Sequence, residues 1–231
     1  MRAYVAAQAE ADLRGDVLLR AGEPEAVHDT RVAVRRLRSM LRVFPALGQV
    51  AAAGLAERLK EWSDQLGAVR DLEALAELLA EVCPPPLWDR LCPAVEAERA
   101  GAAAALVATL ESAGHRRLRE EVAALALAEP GPLGARSGAR RAARKAAKRL
   151  RSAGDDAALL HAARRAAKRA RYAAEAIGDA DGAARWEAVQ ERLGTHHDCV
   201  VALARLDGVP GADAEQARGR LRDRMATATP G

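Results

Sequence analysis

A row of cationic side chains recurs at helical spacing near the start of this 231-residue chain. At about 100° per residue, positions three, four and seven apart share one face of an α-helix. His28, Arg31, Arg35, Arg38 and Arg42 follow that spacing and form a basic stripe about 20 Å long. Guanidinium groups stay charged and match phosphate oxygens, and a histidine beside phosphate can donate a hydrogen bond or become protonated. The stripe therefore predicts a site for a phosphate-rich anion.

The same spacing recurs in two further segments. A second stripe comprises His161, Arg164, Lys168 and Arg171, with Tyr172 close to it. A third comprises Arg141, Arg144, Lys148 and Arg151. We expect the three stripes to converge on one anion, because like charges at this spacing otherwise repel. Apolar residues on the opposite helix faces predict the buried sides: Val34, Leu37, Met40, Leu41 and Phe44 behind the first stripe, Ala163, Ala167, Ala170, Ala174 and Ile177 behind the second, and Ala143, Ala147 and Leu150 behind the third.

The first two stripes align with each other, which indicates an internal duplication. Further along the chain, Leu66-Gly67 precedes Asp71 as Leu193-Gly194 precedes Asp198. We expect two similar helical bundles, 1–128 and 139–231, related by a pseudo-twofold axis within one domain spanning 1–231. Each aspartate is expected to cap a following helix or to hold a basic side chain. The residues before them, Arg70 and His197, are expected to add donors to the site. Setting His28 over His161 places Arg31, Arg35, Arg36 and Arg38 over Arg164, Lys168, Arg169 and Arg171.

Composition and the positions of Gly and Pro residues predict an all-α fold. Half of the residues are apolar, and the abundance of alanine, the best helix former, favours tightly packed helices. Segment 129–138, rich in Gly and Pro, predicts the loop between the halves, and no alternating pattern predicts a strand. Apolar spacing predicts helices near 2–20, 25–47, 50–67, 70–82, 87–112, 115–128, 136–152, 157–177, 183–194, 197–206 and 213–226.

Charge is strongly segregated although the net charge is only +4. Segments 28–42 and 136–171 carry 18 of the 36 Lys and Arg residues but 3 of the 32 Asp and Glu residues. These segments are therefore at +15 and the remainder is at −11. A surface that served only solubility would mix the signs, so the separation favours an electrostatic footprint for an anion.

Other features narrow the class of protein. No apolar run reaches the roughly 18–20 residues of a transmembrane helix, and the N-terminus lacks a secretory signal pattern. Cys83, Cys92 and Cys199 are odd in number and follow no zinc-binding spacing, which predicts reduced thiols. We expect a cytoplasmic protein with no membrane partner, no metal site and no cofactor.

These segments resemble the signature blocks of the CHAD family, the histidine-bearing α-helical domain. Val27 to Phe44 (VHDTRVAVRRLRSMLRVF) matches the first block. Leu66 to Leu72, Leu160 to Tyr172 with Glu175, and Leu193 to Asp198 with Val200 and Val201 match later blocks in order. Four ordered blocks make the resemblance specific, and it covers nearly the whole chain.

The resemblance implies a pair of four-helix-bundle-like halves around a basic central groove or pore that binds inorganic polyphosphate. It also implies that His28, Arg31, Arg35, Arg38, His161, Arg164, Lys168, Arg171 and Tyr172 line that groove. Many members carry a fused triphosphate-tunnel domain, which this sequence lacks. We therefore expect the protein to act alone or with a separate polyphosphate-related enzyme. Association with polyphosphate granules is a further prediction.

Two alternative functions stay open. Nucleic acids also attract arginine stripes, although the six aromatic residues leave few stacking platforms for single strands. A metal-dependent phosphohydrolase is suggested by His28-Asp29 and His196-His197-Asp198. Such chemistry needs several convergent carboxylates, and the stripes are depleted in them. Non-catalytic polyanion binding is the favoured prediction.

Overall fold

The computed structural model of the protein describes residues 1–23, 25–129 and 134–228. Within these ranges the chain forms helices, turns and irregular segments without a β-strand, so the all-α prediction is confirmed. The helices are α1 (Arg2–Ala21), α2 (Ala26–Val43), α3 (Pro45–Val50), α4 (Leu55–Val82), α5 (Pro85–Leu110), α6 (Ala113–Leu127), α7 (Ala135–Arg151), α8 (Ala157–Ile177), α9 (Ala180–Arg205) and α10 (Ala212–Ala228).

Local chemistry sets several helix boundaries. The Asp156 carboxylate accepts a hydrogen bond of 2.8 Å from the Leu159 backbone N–H and caps the start of α8. Gly178 ends that helix in the left-handed conformation, at φ 74°, which glycine adopts without a Cβ penalty. Pro45 separates α2 from the short α3, since proline cannot continue a helix but fits its first position. Asp156 and Gly178 thus define the two ends of α8, the helix that carries the second stripe.

Two predicted helix breaks were wrong. Segments 50–67 and 70–82 belong largely to the single helix α4, and 183–194 and 197–206 to the single helix α9. Gly67 and Gly194 lie inside these helices, because a glycine lowers helix propensity by only about 1 kcal/mol, which packing can override. The predicted 129–138 loop is shorter, since α7 begins at Ala135. Residues 130–133 and Pro24 lie outside the described residues.

The predicted core faces of α2 and α8 are confirmed. Val34, Leu37, Met40 and Phe44 are fully buried and Leu41 is half-buried. Behind the second stripe, four alanines are buried and Ile177 is half-buried. Both basic stripes are thus held on the outside of well-packed helices. The buried alanines are Ala163, Ala167, Ala170 and Ala174.

Helix α7 is rotated relative to its predicted core face. Its buried residues are Gly138, Ala139 and Ala146, whereas Ala143, Ala147 and Leu150 are only half-buried. The reason lies at Gly138, where an added Cβ would be 2.7 Å from the Phe44 ring. The start of α7 therefore packs directly against the end of α2.

The stripe-bearing helices α2 and α8 are neighbours. Helix α2 packs against α1 and α4, α8 packs against α7 and α9, and contacts between α2 and α8 and between α4 and α9 join these layers. This arrangement brings the first and second stripes to one groove, while the internal duplication and the division at 128 and 139 stay predictions. No helix in the described ranges is both long and apolar enough to cross a membrane.

Candidate anion-binding groove

An inner compartment of about 640 Å³ lies between α2, α4, α8 and α9. Seven of the predicted site residues meet in its wall, contributed by the first two stripes and by His197. The first two stripes therefore share one cavity. Its polar and charged wall residues are Arg31, Arg35, Arg38, Ser63, Asp64, Asp71, His161, Arg164, Arg165, Lys168, His197 and Asp198.

Arg31 and Arg164 are held in closely similar ways from the two stripes. The Arg31 guanidinium lies 2.9 Å from the Asp71 carboxylate, and that of Arg164 lies 3.8 Å from Asp198. Each guanidinium crosses a helix at a glycine. An added Cβ on Gly67 would be 3.4 Å from Arg31, and one on Gly194 would be 3.7 Å from Arg164.

The predicted capping role of Asp71 and Asp198 was therefore wrong. Both residues lie inside continuous helices, where no following helix needs a cap. The alternative role, holding a basic side chain, is the one that the structure shows for both. Between them, Asp71 and Asp198 neutralise part of the inner compartment.

Lys168 lies at the cationic centre of the inner compartment and is 8% exposed. Burial, followed by the nearby charges of Arg35, Arg164 and Arg31, lowers the pKa of its ammonium to about 6. Burial likewise lowers the pKa of Arg35 and of Arg164. Among the described residues, no carboxylate forms an ion pair with Lys168 or Arg35. Arg35 and Lys168 therefore lack the direct carboxylate partner that Arg31 and Arg164 have.

His161 and His197 form one end of this compartment, with ring centroids 4.7 Å apart. Burial is the main cause that lowers both imidazole pKa values, and neighbouring cations lower them further. Three nitrogens in this wall are buried without a hydrogen-bond partner in the described part of the chain: His161 Nδ1, Arg31 Nε and Arg164 Nε. Each guanidinium Nε carries a hydrogen, so an anion oxygen would satisfy it.

A middle compartment of about 430 Å³ adjoins the inner one and shares Arg35, Arg38 and Lys168 with it. Arg42, Arg169 and Tyr172, three further predicted residues, lie in its wall. Burial, reinforced by Arg42, Arg149 and Arg165, lowers the pKa of Arg169 to about 10. The basic groove therefore continues along α2 and α8. Its remaining charged wall residues are Glu57, Lys60, Asp64 and Arg165.

The third predicted stripe meets the other two only in part. Arg141 and Arg144 line an adjoining compartment of about 790 Å³ between α2, α7 and α8, here named the α7 compartment, together with Arg42 of the first stripe. Lys148 lines only an outer hollow of about 520 Å³ on α7, and Arg151 lines no compartment described here. Arg141 and Lys148 share one angle on the helix, as do Arg144 and Arg151, so the difference is one of position along α7: the compartment lies beside its first turns. The other charged residues of the α7 compartment are Lys145, Arg149, Arg165 and Arg169.

Three other predicted residues also lie outside the compartments. His28 is exposed on the first turn of α2, beyond the groove. Arg36 lies 3.2 Å from the Glu175 carboxylate, and Arg171 pairs with Glu175 and Glu187, each at 2.8 Å. Arg36 and Arg171 therefore serve the packing of α2, α8 and α9 rather than the cavity wall.

Glu175 connects this packing cluster to α1. The Tyr4 hydroxyl donates a 2.7 Å hydrogen bond to Glu175, so one carboxylate holds two arginines and a tyrosine. The guanidiniums of Arg36 and Arg171 lie 5.5 Å and 5.9 Å from the centre of the Tyr172 ring. Tyr172 is thereby fixed at the back of the middle compartment, and it is 5% exposed.

Several residues in the walls of the three compartments were not predicted from the sequence. Lys145, Arg149 and Arg165 carry a signal, since Lys145 and Arg149, and Arg165 and Arg169, are spaced four apart on their helices. Lys60 and Asp64 lie on a mixed-charge face of α4 that resembles an ordinary solvated surface. Arg70, proposed as a donor, instead pairs with Glu73 and Glu77 outside the groove.

In ranges 1–23, 25–129 and 134–228, no three His, Cys, Asp or Glu side chains are grouped to hold a metal ion.

Comparisons with known proteins identify the fold. The family model described as CHAD domain matches residues 3–207. The uncharacterized protein Rv2226 of Mycobacterium tuberculosis is 33% identical, over 87% of this chain and 44% of its own length. The chain thus spans less than half of this curated relative.

Two solved structures share the architecture. The CHAD domain from the plant Ricinus communis has a TM-score of 0.74 and 28% identity, with 98% of this chain and 85% of that chain covered. PptA from Streptomyces chartreusis has a TM-score of 0.81 and 20% identity, with coverage of 98% and 94%. The second likeness concerns the fold alone.

Proposed function

Since the chain belongs to the CHAD domain family, we propose that it binds inorganic polyphosphate between α2 and α8 without hydrolysing it. The family is associated with polyphosphate or triphosphate binding. The observation that carries the proposal for this chain is the burial of Lys168 beside Arg35, Arg164 and Arg31. Arg35 and Lys168 have no ion-pair partner among the described residues, and burial disfavours their charged forms, so a bound anion would stabilise the cations of this cluster.

The shape of the groove favours a linear anion over a compact one. The inner and middle compartments share Arg35, Arg38 and Lys168, so their walls form one continuous path. The path follows α2 from Arg31 to Arg42, a rise of about 16 Å at 1.5 Å per residue. A single phosphate would occupy only part of it. A chain of phosphate units would engage successive arginines, and each release of a counterion would add a salt-sensitive driving force.

The contacts of Asp71 and Asp198 support binding without turnover. Hydrolysis assisted by two metal ions needs several carboxylates directed at one point. In the inner compartment, Asp71 and Asp198 each lie against an arginine instead. We therefore assign these carboxylates to holding Arg31 and Arg164, and we predict no phosphate release. A separate enzyme acting on polyphosphate and a cytoplasmic location remain predictions.

The groove lacks an exposed aromatic side chain on which nucleic-acid bases could stack, within the described residues. Tyr172 is the aromatic residue of the middle compartment, and it is buried beneath Arg36 and Arg171. Non-specific recognition of single strands uses exposed aromatic platforms. Nucleic acid is therefore treated as the competitor in the test.

A competition experiment tests the proposal. Labelled long-chain polyphosphate is bound to the protein and displaced by unlabelled polyphosphate, by single-stranded RNA or by duplex DNA, over a salt series. Polyphosphate is expected to displace the label best, and affinity should fall steeply with salt. Stronger displacement by either nucleic acid would reverse the assignment. Incubation with polyphosphate and magnesium, with free phosphate measured over time, checks turnover, and sustained release would contradict the non-catalytic role.

A further inference from the structure

The cations of α7 lack carboxylate partners. The helix carries eight Lys and Arg residues and no acidic residue. Within the described part of the chain, none of the eight forms an ion pair with a carboxylate, whereas Arg31, Arg36 and Arg171 all do. Seven of the eight are exposed, and Arg149 is half-buried, with a hydrogen bond of 3.5 Å to the Ala162 carbonyl. A row of unpaired cations on one helix is unfavourable without a counterion.

The α7 compartment is continuous with the polyphosphate groove. It shares Arg42, Arg165 and Arg169 with the middle compartment. Beyond it, Arg144, Lys145 and Arg149 also line the outer hollow. The four cavities therefore form one path from His197 on α9 to Ser152 at the end of α7.

Acidic residues line the first two compartments of this path but not the last two. The inner compartment contains Asp64, Asp71 and Asp198, and the middle one contains Glu57 and Asp64. The walls of the α7 compartment and of the outer hollow contain no acidic residue in the described chain. A polyanion that leaves the middle compartment therefore meets cations without competing carboxylates.

We propose that the compartment walls of α7 are the length-sensing part of the site, where a long polyphosphate chain continues from the central groove through the α7 compartment to the outer hollow. This inference rests on the proposed function and extends it to chain-length preference. Tripolyphosphate has only three phosphate units, so we expect it to occupy the buried cations of the inner and middle compartments and to gain little from α7. A long chain engages both regions, and the second contact is intramolecular, with the affinity gain of a multivalent ligand.

Two matched variants of α7 test the proposal. Arg141→Gln/Arg144→Gln/Lys145→Gln removes three cations from the path. Arg136→Gln/Arg140→Gln/Arg151→Gln removes three cations from the same helix, and those three lie outside the compartment walls. Both variants change the net charge equally, and glutamine keeps good helix propensity. Circular dichroism and thermal unfolding verify that each variant is folded.

Binding to tripolyphosphate and to long-chain polyphosphate is measured for the wild type and both variants. The path variant is expected to bind the long chain about tenfold or more weakly and tripolyphosphate as the wild type does. The control variant should bind both ligands nearly normally. Equal weakening by the two variants would mean general charge attraction, and equal weakening for both ligands would mean no length sensing. Either result overturns the inference.

Two further comparisons separate this inference from the proposed function. Unchanged long-chain binding by the path variant, with binding lost in Arg35→Gln/Lys168→Gln, would refute length sensing while leaving the central groove intact. Loss of single-stranded RNA binding alone in the path variant would make α7 a nucleic-acid surface and also refute the inference. A wild-type protein that binds neither polyphosphate would refute the proposed function itself.

Discussion

Arg31 reaches across α4 at Gly67 to place its guanidinium 2.9 Å from the Asp71 carboxylate. The contact joins the first stripe on α2 to the wall on α4, and it keeps Arg31 directed into the inner compartment. Arg31 is 19% exposed and Asp71 is 72% exposed, so the attraction is partly screened by water. The pair orients Arg31 more than it stabilises the fold.

Gly67 is predicted to tolerate alanine but not leucine. An alanine Cβ would lie 3.4 Å from the flexible end of Arg31, a contact that a small shift accommodates. Replacing a glycine inside a helix by alanine should raise the free energy of unfolding by up to about 1 kcal/mol. In Gly67→Leu the larger side chain must displace Arg31, so polyphosphate affinity should fall several-fold. Chemical denaturation and binding measurements on both variants check this, and equal affinities would contradict the role of Arg31.

Asp71→Asn is predicted to strengthen polyphosphate binding. The substitution removes a carboxylate that competes with phosphate for Arg31, and a partly exposed pair contributes about 0.2–1 kcal/mol. Affinity should therefore rise by up to about fivefold, with a small loss of stability. Glu10→Gln, an exposed acid outside the groove, is the matched control for net charge. Weaker binding by Asp71→Asn than by the control would show that orientation of Arg31 outweighs the competition.

The sequence was sufficient for the fold class, for the core faces of α2 and α8, and for the two basic stripes that line one cavity between these helices. Helical periodicity and buried apolar faces are local properties, so they can be deduced from spacing. The ion pairs of Arg36 and Arg171 with Glu175 could not be deduced in this way, because one angle on a helix does not show which neighbour supplies a carboxylate.

The position of α7 also depended on a contact between distant segments. Gly138 lies against Phe44, so the start of α7 packs beside the end of α2. Lys148 and Arg151 lie further along the helix, beyond the compartment formed there. His28 shares the angle of its stripe but lies one turn beyond the cavity. The spacing of residues in the sequence predicts on which face of a helix they lie. How far a cavity extends along that helix depends on how the helices pack together.

Lys168→Met is predicted to stabilise the protein. Burial holds the pKa of Lys168 near 6 in the folded state against 10.5 when it is freely solvated. Between these values the unfolded chain binds the proton more tightly, so this lysine opposes folding, fully below pH about 6 and progressively less as pH rises towards 10.5. Replacing buried ionic groups by apolar ones can stabilise by about 1–4 kcal/mol.

The free energy of unfolding of wild type and Lys168→Met is to be compared over this pH range. The advantage of the variant should shrink as pH rises. An advantage independent of pH would mean that packing rather than charge causes it, and a destabilised variant would contradict the uncompensated burial of Lys168.

Polyphosphate binding is predicted to take up protons at neutral pH. With a pKa near 6, Lys168 is largely neutral in the free protein, and a bound anion should raise that pKa. Affinity should therefore increase as pH falls towards about 6 and level off below it, and protonation of His161 and His197 acts in the same direction. Calorimetry in two buffers with different ionisation enthalpies measures the uptake. Lys168→Met should reduce it, and equal uptake in both proteins would exclude Lys168 as its source.

The affinity of Arg35→Glu/Lys168→Glu for long-chain polyphosphate tests the central groove most directly. Its control, Arg90→Glu/Arg192→Glu, reverses two exposed charges on α5 and α9 outside the compartments. Circular dichroism verifies folding, and Arg35→Gln/Lys168→Gln provides a milder version of the change. We predict that the groove variants lose most of their affinity while the control stays close to the wild type. Normal binding by folded groove variants would contradict the account.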